Sequence, residues 1–446
     1  MIQNRDTLAR RQEHDDALAC LATGIDAAHP EQVVREQVTL SDGTLSVDGR
    51  QWNLGAARRV IVVGGGNAAG TAASALEGVL GEFLDEGAVV TDDPASTETI
   101  EMLSGSHPVP SQTGAEHTRR VLDLAQAAGE EDVVIALVTG GGSALLAAPA
   151  EGIALSDVQS LTDALLQSGA DIGEINAVRK HLSRVKGGRL AAAAAPATVV
   201  GLVFSDVVGN DLATVASGPT APDDTTYADA LAVLDRYDVD APVAVREHLE
   251  AGAAGDREET PAADSAVFER VSNHVLADNL TAIEAAAETA RERGYRPLIL
   301  SSRIRGEARE AAKTHAAVAE EARASGNPAD PPVALLSGGE TTVTDPGDGS
   351  GGPNQEFALA VAVDLEDPGT VFAAVDTDGI DGATETAGAL VDHRTVTDRE
   401  GALDALASHD TQPFLAARDA VIETGQTGTN VNDLRVHVVT AEDADE

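Results

Sequence analysis

Lysine, cysteine and aromatic side chains are nearly absent from this chain, and each scarcity narrows what it can be. Of 446 residues only three are lysine (Lys180, Lys186 and Lys313), and 30 basic residues face 74 acidic ones, a formal net charge of −44. So acidic a surface repels phosphate backbones and anionic headgroups, so neither nucleic acid nor a membrane surface is an expected partner. The one cysteine, Cys20, excludes an intrachain disulfide and a cysteine metal cluster. No run reaches the roughly 18 apolar residues of a membrane-spanning helix. Met1-Ile-Gln-Asn-Arg is not followed by the apolar stretch of a secretory signal, so a cytoplasmic location is expected. Aromatics are 2% of the chain, so its cores must be built from Ala, Val and Leu. Hydrophobic residues still reach 43%, which argues for folding against the disorder that high net charge favours.

What the chain has instead is acid and arginine. That balance suits a salt-rich cytoplasm, where concentrated ions screen self-repulsion, and a halophilic source is expected.

At roughly 100–200 residues per domain, the length fits two or three domains. Residues 6–37 have helical spacing. Apolar runs at 59–63, 89–90, 133–138 and 198–204 end in small or acidic residues, with helical stretches such as 68–80 between them. Strand, turn and helix in repetition predict an α/β domain with a parallel sheet and helices on both faces. Polar, aperiodic residues at 249–265 read as an acidic linker or surface loop between an N-terminal domain, 1–248, and a second α/β domain, 266–446. The second has helices near 279–293 and 306–325 and apolar runs at 333–336, 371–375 and 436–439.

Ligands of open parallel sheets bind beyond the carboxyl ends of the strands. Such ends here are Gly64-Gly65-Gly66-Asn67, Thr139-Gly140-Gly141-Gly142-Ser143, Ser205-Asp206 with Gly209-Asn210-Asp211, and Ser337-Gly-Gly-Glu340. Glycines there let backbone amides approach an anion. Gly64-x-Gly66-x-x-Ala69, with Asp92 beyond it, also fits a dinucleotide fingerprint or a plain tight turn. No Gly-x-x-x-x-Gly-Lys-Ser/Thr occurs, which excludes an ordinary P-loop.

The window 176–188 is the most informative. Two of the three lysines fall in it, and Arg179, Lys180, His181, Arg184 and Lys186 crowd into eight residues of an otherwise acidic chain. That concentration suits an anionic substrate or phosphates; its alternative is a helix face paired to acidic neighbours. Asp376, Asp378 and Asp381 offer hard oxygen ligands at short spacing for Mg²⁺, or form only an Asp-Gly turn. His107 lies in Ser106-His-Pro-Val-Pro110, a turn stiffened by two prolines.

Taken in order, Ser106–Pro110, Thr139–Leu146, Asn176–Ser183 with Lys186-Gly-Gly188, Ser205–Asp211, Ala216–Thr220, Ser337–Thr342, Asn354-Gln-Glu356, Asp376–Gly382, Ala387–Ala389 and Thr427–Asp433 resemble the MOFRL-containing glycerate 2-kinase family, over about residues 60–440. The resemblance implies ATP-dependent phosphorylation of D-glycerate to 2-phosphoglycerate with Mg²⁺. It also implies two α/β domains, the first flavodoxin- or Rossmann-like, with the active site in the inter-domain cleft; a homodimer is among the expected assemblies. With the acidic composition, a halophilic archaeal member is expected. Arg179 and Lys180 would bind the glycerate carboxylate or the transferring phosphoryl group. Lys186 and the amides of Gly140–Ser143 would hold nucleotide phosphates, and Asp206 or Asp211 would orient or deprotonate the 2-hydroxyl. Gly65, Gly66, Asn67, His107, Asn176, Asn210, Ser217 and Asn354 would line the substrate and nucleotide sites. Glu340 and Asp376–Asp381 would bind Mg²⁺ or ribose. Two positions depart from the family, which carries Lys where this chain has Asn67 and Arg where it has Pro353. The rival expectations are a nicotinamide-dependent hydroxypyruvate reductase, built on Gly64–Ala69, and a non-catalytic nucleotide or metabolite sensor.

Salt adaptation has a direct test. Raising KCl from about 0.1 M to about 1 M shortens the Debye length from about 10 Å to about 3 Å and is expected to raise the thermal unfolding midpoint. An unchanged midpoint, with full activity at low salt, would contradict it.

Overall fold

The computed structural model describes residues 1–344, 347 and 349–441. It forms two compact units: Pro30–Leu276, and Met1–His29 together with the chain from Ala277 onward.

The first unit opens with an antiparallel meander, β1 (Val38–Ser41), β2 (Thr44–Val47) and β3 (Arg50–Asn53). Its two-residue turns are Asp42-Gly43 and Asp48-Gly49, all four at positive φ, the backbone that Asp-Gly supports in tight hairpins. A six-stranded sheet follows, made of β4 (Val60–Gly65), β5 (Glu86–Thr91), β6 (Ile100–Ser104), β7 (Val133–Thr139), β8 (Thr198–Phe204) and β9 (Val271–Ala277). Its order is β6-β5-β4-β7-β8-β9, and the four pairings from β6 to β8 are parallel. Numbered within the sheet, this is 3-2-1-4-5-6, the order of a doubly wound Rossmann sheet, so the parallel α/β expectation holds. β4 and β7 are buried along their whole length, which is why they read as unbroken apolar runs. Ile61, Val63, Val90 and Val134 pack with Val121, Leu124 and Ala125 of the helix Gln112–Gln126 in a core without aromatics.

The helices Leu155–Ser168, Ile172–His181, Tyr227–Arg236 and Val243–Ala253 enclose a second core around Leu165, Val178, Leu234 and Leu249. The last of these helices runs through the expected boundary at 248, so the division of the chain differs from the expected one. Residues 254–265 form a surface loop tied back to the first unit: Asp223 N–H donates to Pro261 O (3.1 Å), and buried Thr260 Oγ1 donates to Asp223 Oδ2 (3.0 Å).

The N-terminal helix Gln12–Ala27 belongs to the second unit, because its Asp15 pairs with Arg293 (2.9 Å) and its Asp16 accepts from Tyr295 Oη (2.9 Å). Gly24 lets it close on the helix Asn279–Glu292: a Cβ there would stand 2.7 Å from Ala282 O. The second unit's sheet is β10 (Arg296–Glu307), β11 (Val333–Thr342), β12 (Thr370–Asp376), β13 (Gly388–Asp392), β14 (Val421–Ile422) and β15 (Asp433–Val439), in the order β10-β11-β15-β12-β13-β14. Only β10 and β11 pair in parallel; β15 inserts antiparallel between β11 and β12, so this sheet is mixed. Among the described residues no helix is long and apolar enough to cross a membrane.

Gly64 lies at φ +142°, and a Cβ there would stand 1.9 Å from Leu137 O of the neighbouring strand. Gly64→Ala is therefore expected to lower unfolding free energy by more than about 4 kcal/mol, or to prevent folding. Gly78→Ala, in a helix with open space at its Cβ, is expected to be neutral or stabilising by up to about 1 kcal/mol. Thermal and denaturant unfolding of both variants checks the contrast.

Candidate active site

The direction of chain winding reverses between β4 and β7, and the strand ends meet there. Gly66 N–H donates to Val90 O (3.0 Å) and Asn67 N–H to Gly140 O (2.9 Å), tying the turn after β4 to both neighbouring strands. A Cβ on Gly65 would stand 2.5 Å from Val90 O, and one on Gly66 2.1 Å from Thr139 Oγ1. These glycines are required by the chain's own close packing, which accounts for the dinucleotide-like fingerprint without a cofactor. The next turn, Gly140-Gly141-Gly142, lies against two side chains. A Cβ on Gly141 would meet Asn67 Oδ1 at 1.8 Å, and one on Gly140 would meet Asp206 Oδ2 at 2.3 Å. Asn67 Oδ1 is buried with no hydrogen-bond partner among the described residues. Burial raises the Asp206 pKa, opposed by the charge of nearby His107 and by the Gly141 N–H that its carboxylate accepts.

The basic window separates in space. The helix Ile172–His181 starts at a capping box of Asp171 and Glu174 and ends in three basic residues, as its dipole favours. Lys180 does not project into an open site: its Nζ donates to Asp223 Oδ1 (3.1 Å), and both groups are buried. Asp223 also accepts the Thr225 and Thr260 hydroxyls. Lys186 is also buried, and its Nζ donates to the carbonyls of Ser143 (2.6 Å) and Leu146 (3.3 Å). It therefore ties down the turn after β7, and burial, helped by the Arg179 charge, lowers its pKa to about 7. His181 is closed in by Ala177 O (2.7 Å) and Glu259 (3.1 Å). Arg179 differs from all of these. Its partly buried guanidinium makes no hydrogen bond or ion pair among the described residues, and desolvation lowers its pKa.

Asn176, one helical turn before Arg179, accepts at Oδ1 from Ser217 Oγ (3.0 Å), which in turn contacts Ser143 Oγ (2.9 Å). The fold thus gathers Asn67, Gly140–Ser143, Asn176, Arg179, Lys186, Asp206 and Ser217, with His107 beside Asp206. Asp211 is corrected to a turn-forming residue: its carboxylate accepts from Thr214 Oγ1 (2.7 Å) and Ala213 N–H (3.1 Å). Asn210 lies beside it at φ +58°.

In the second unit, the expected three-carboxylate metal set does not form. Asp381 is buried and turned onto the helix Pro353–Asp364, accepting the N–H groups of Asn354 (2.9 Å) and Gln355 (2.8 Å). Its pKa is raised to about 7, first by burial, although the helix amides oppose the rise. Pro353 fills the first helical position, where a missing N–H costs nothing. Asn354, expected to line the substrate and nucleotide sites, is fully buried and bridges Asp381 (3.2 Å) to Asp433 (2.6 Å). Asp433 also accepts from Thr341 and from Arg435, a fully buried arginine over the Phe357 ring. Asp376 accepts Asp378 N–H (3.0 Å), and burial among Asp378, Asp433 and Asp381 raises its pKa well above the ordinary range. Glu340 is exposed at the end of β11. Among the described residues, no three His, Cys, Asp or Glu side chains converge as a metal site. Asp223, Asp433 and Arg435 were not expected at these positions. A lone arginine inside the apolar run at 434–439 was the available signal for the last of them.

Residues 16–250 match a domain family of unknown function, DUF4147, and residues 333–433 match the MOFRL family. A glycerate 2-kinase of Pyrococcus horikoshii is 39% identical over 433 residues, 95% of this chain and 97% of that protein. A putative hydroxypyruvate reductase of Agrobacterium vitis is 41% identical over 390 residues, 85% of this chain and 87% of that protein. The crystal structure of glycerate kinase from Thermotoga maritima superposes with a TM-score of 0.83 at 37% identity, covering 95% of this chain and 98% of that one.

The two neighbouring cations predict opposite outcomes. Lys180→Met strands a buried carboxylate and is expected to cost about 3–5 kcal/mol of stability. Arg179→Met removes a desolvated, unpaired charge and is expected to leave the unfolding midpoint unchanged or higher. Denaturant titration of both variants in high salt distinguishes them.

Proposed function

Because the chain belongs to the glycerate 2-kinase family, we propose that it transfers a phosphoryl group from ATP to the 2-hydroxyl of D-glycerate, in the cytoplasm. The observation that carries the reading is Arg179. In a chain this acidic, a partly buried guanidinium without a carboxylate partner among the described residues is suited to receive one from a ligand. Its planar fork matches the two oxygens of the glycerate carboxylate. Asp206 accepts the proton of the 2-hydroxyl, since a carboxyl with a raised pKa is a better base near neutrality. The amides of the Gly140–Ser143 turn, held by Lys186, face the nucleotide phosphates. Phosphoryl transfer depends chiefly on such positioning and charge. Lys180, Asp211 and Asn354 support the scaffold and do not touch substrate.

Asn67 and Pro353 carry no charge at the two positions where the resemblance implies cations, so Arg179 bears more of the load. The residues present do not fit a resident magnesium ion, because Asp381 is committed to helix amides. Magnesium enters as part of the nucleotide substrate. A homodimer is the assembly proposed. Reductase chemistry is the second reading, favoured by the name of the Agrobacterium vitis relative. The fully packed glycine turn after β4 supports it less.

In a coupled assay at high salt, D-glycerate-dependent ADP formation is expected. Arg179→Ala is expected to lower kcat/KM for D-glycerate by about 100-fold or more with the unfolding midpoint retained. No ADP, together with NADH oxidation by hydroxypyruvate, would overturn the kinase reading in favour of the reductase.

A further inference from the structure

Ser143, Ser217 and Asn176 form a hydrogen-bond chain whose direction follows from its last member. Asn176 Oδ1 carries no hydrogen, so the buried Ser217 hydroxyl donates to it (3.0 Å). Ser217 Oγ then has only lone pairs for Ser143 Oγ, 2.9 Å away, so Ser143 is the donor of that bond. Each hydroxyl has one proton, and both are now used. The Ser143 oxygen, on a partly exposed residue, is left as a pure acceptor.

This chain is held rigidly. Ala216, Ser217 and Gly218 lie at φ +50°, +60° and +66°, three successive left-handed residues, two of them not glycine. The Gly187 and Gly188 N–H groups fasten this turn by donating to Ser217 O (2.9 Å) and Gly218 O (2.7 Å). Lys186 Nζ fixes the other end by donating to Ser143 O (2.6 Å). A backbone strained at consecutive positions persists only where its surroundings over-determine it, and here they fix the direction in which Ser143 points its lone pair.

A lone-pair acceptor is a poor partner for phosphate oxygens, which are themselves acceptors, and a good one for a hydroxyl. We propose that Ser143 Oγ accepts a hydrogen bond from the terminal hydroxyl of a short hydroxy acid, and so selects a substrate bearing that group over one lacking it. The inference rests on the reading of Arg179 as the carboxylate holder, which presents the far end of the molecule to the turn after β7.

The test compares D-glycerate with D-lactate, the same acid without the terminal hydroxyl, used as a competitive inhibitor. Ser143→Ala is expected to raise KM for D-glycerate about tenfold, leaving Ki for D-lactate and KM for ATP within about twofold. Ser143→Thr, which keeps the oxygen, is expected to restore the wild-type KM. A rise in KM for ATP would overturn the proposal, because the hydroxyl would then be serving phosphate. Equal weakening of both acids, or no change in either, would overturn it as well. A wild-type protein that neither binds nor phosphorylates D-glycerate would overturn the kinase reading itself, whereas normal wild-type turnover with an indifferent Ser143→Ala would overturn only this inference.

Discussion

The parallel pairing of β4 with β7 brings two strand ends closer than any side chain would allow. Leu137 O occupies the space of a Cβ on Gly64, and Thr139 Oγ1 that of one on Gly66. From this approach follow the position of Asn67 over Gly141, the place of Asp206 against Gly140, and the exit of the turn that carries Ser143. A doubly wound sheet opens a crevice at the point where its winding reverses. Here the crevice is shaped by glycines whose first duty is to the backbone.

A second constraint is charge. In a protein this acidic, a buried cation has carboxylates and carbonyls on many sides, and the two buried lysines have taken them. Lys180 neutralises Asp223, and Lys186 gathers two carbonyls. Buried pairs of this kind add little net stability, but losing one partner is costly. Arg179 stands apart because it lies partly buried with no such partner among the described residues. The second unit shows the converse arrangement, with Asp381 and Asp433 bridged by the Asn354 amide and relieved by helix amides and Arg435.

Much of the first unit was legible because its chemistry is local. Buried parallel strands must be apolar throughout, so β4, β7 and β8 stand out as runs, and the glycines after them mark where the chain turns. The basic window was legible as an anomaly of composition. Its division of labour was not, since Arg179 and Lys180 are adjacent in sequence and a helix turns adjacent residues toward different surroundings. The Asp376–Asp381 segment read as metal-like for a similar reason: spacing along a turn does not say which carboxylate faces outward and which caps a distant helix.

The boundary between the units was the least legible feature. A polar stretch looks like a linker in one dimension, and only packing shows that Thr260 is buried against Asp223, or that the first helix belongs with strands formed hundreds of residues later. The sequence by itself determined the element types, the sheet-bearing runs and the clustering of basic residues at 176–188, because these depend on periodicity and on residue chemistry within a few turns of chain. Tertiary structure alone decided which cation is paired and which has no partner among the described residues, which carboxylate is committed to a helix, and which hydroxyl is left with only lone pairs. Each of those depends on a partner far away in the chain, and burial makes the presence or absence of that partner decisive.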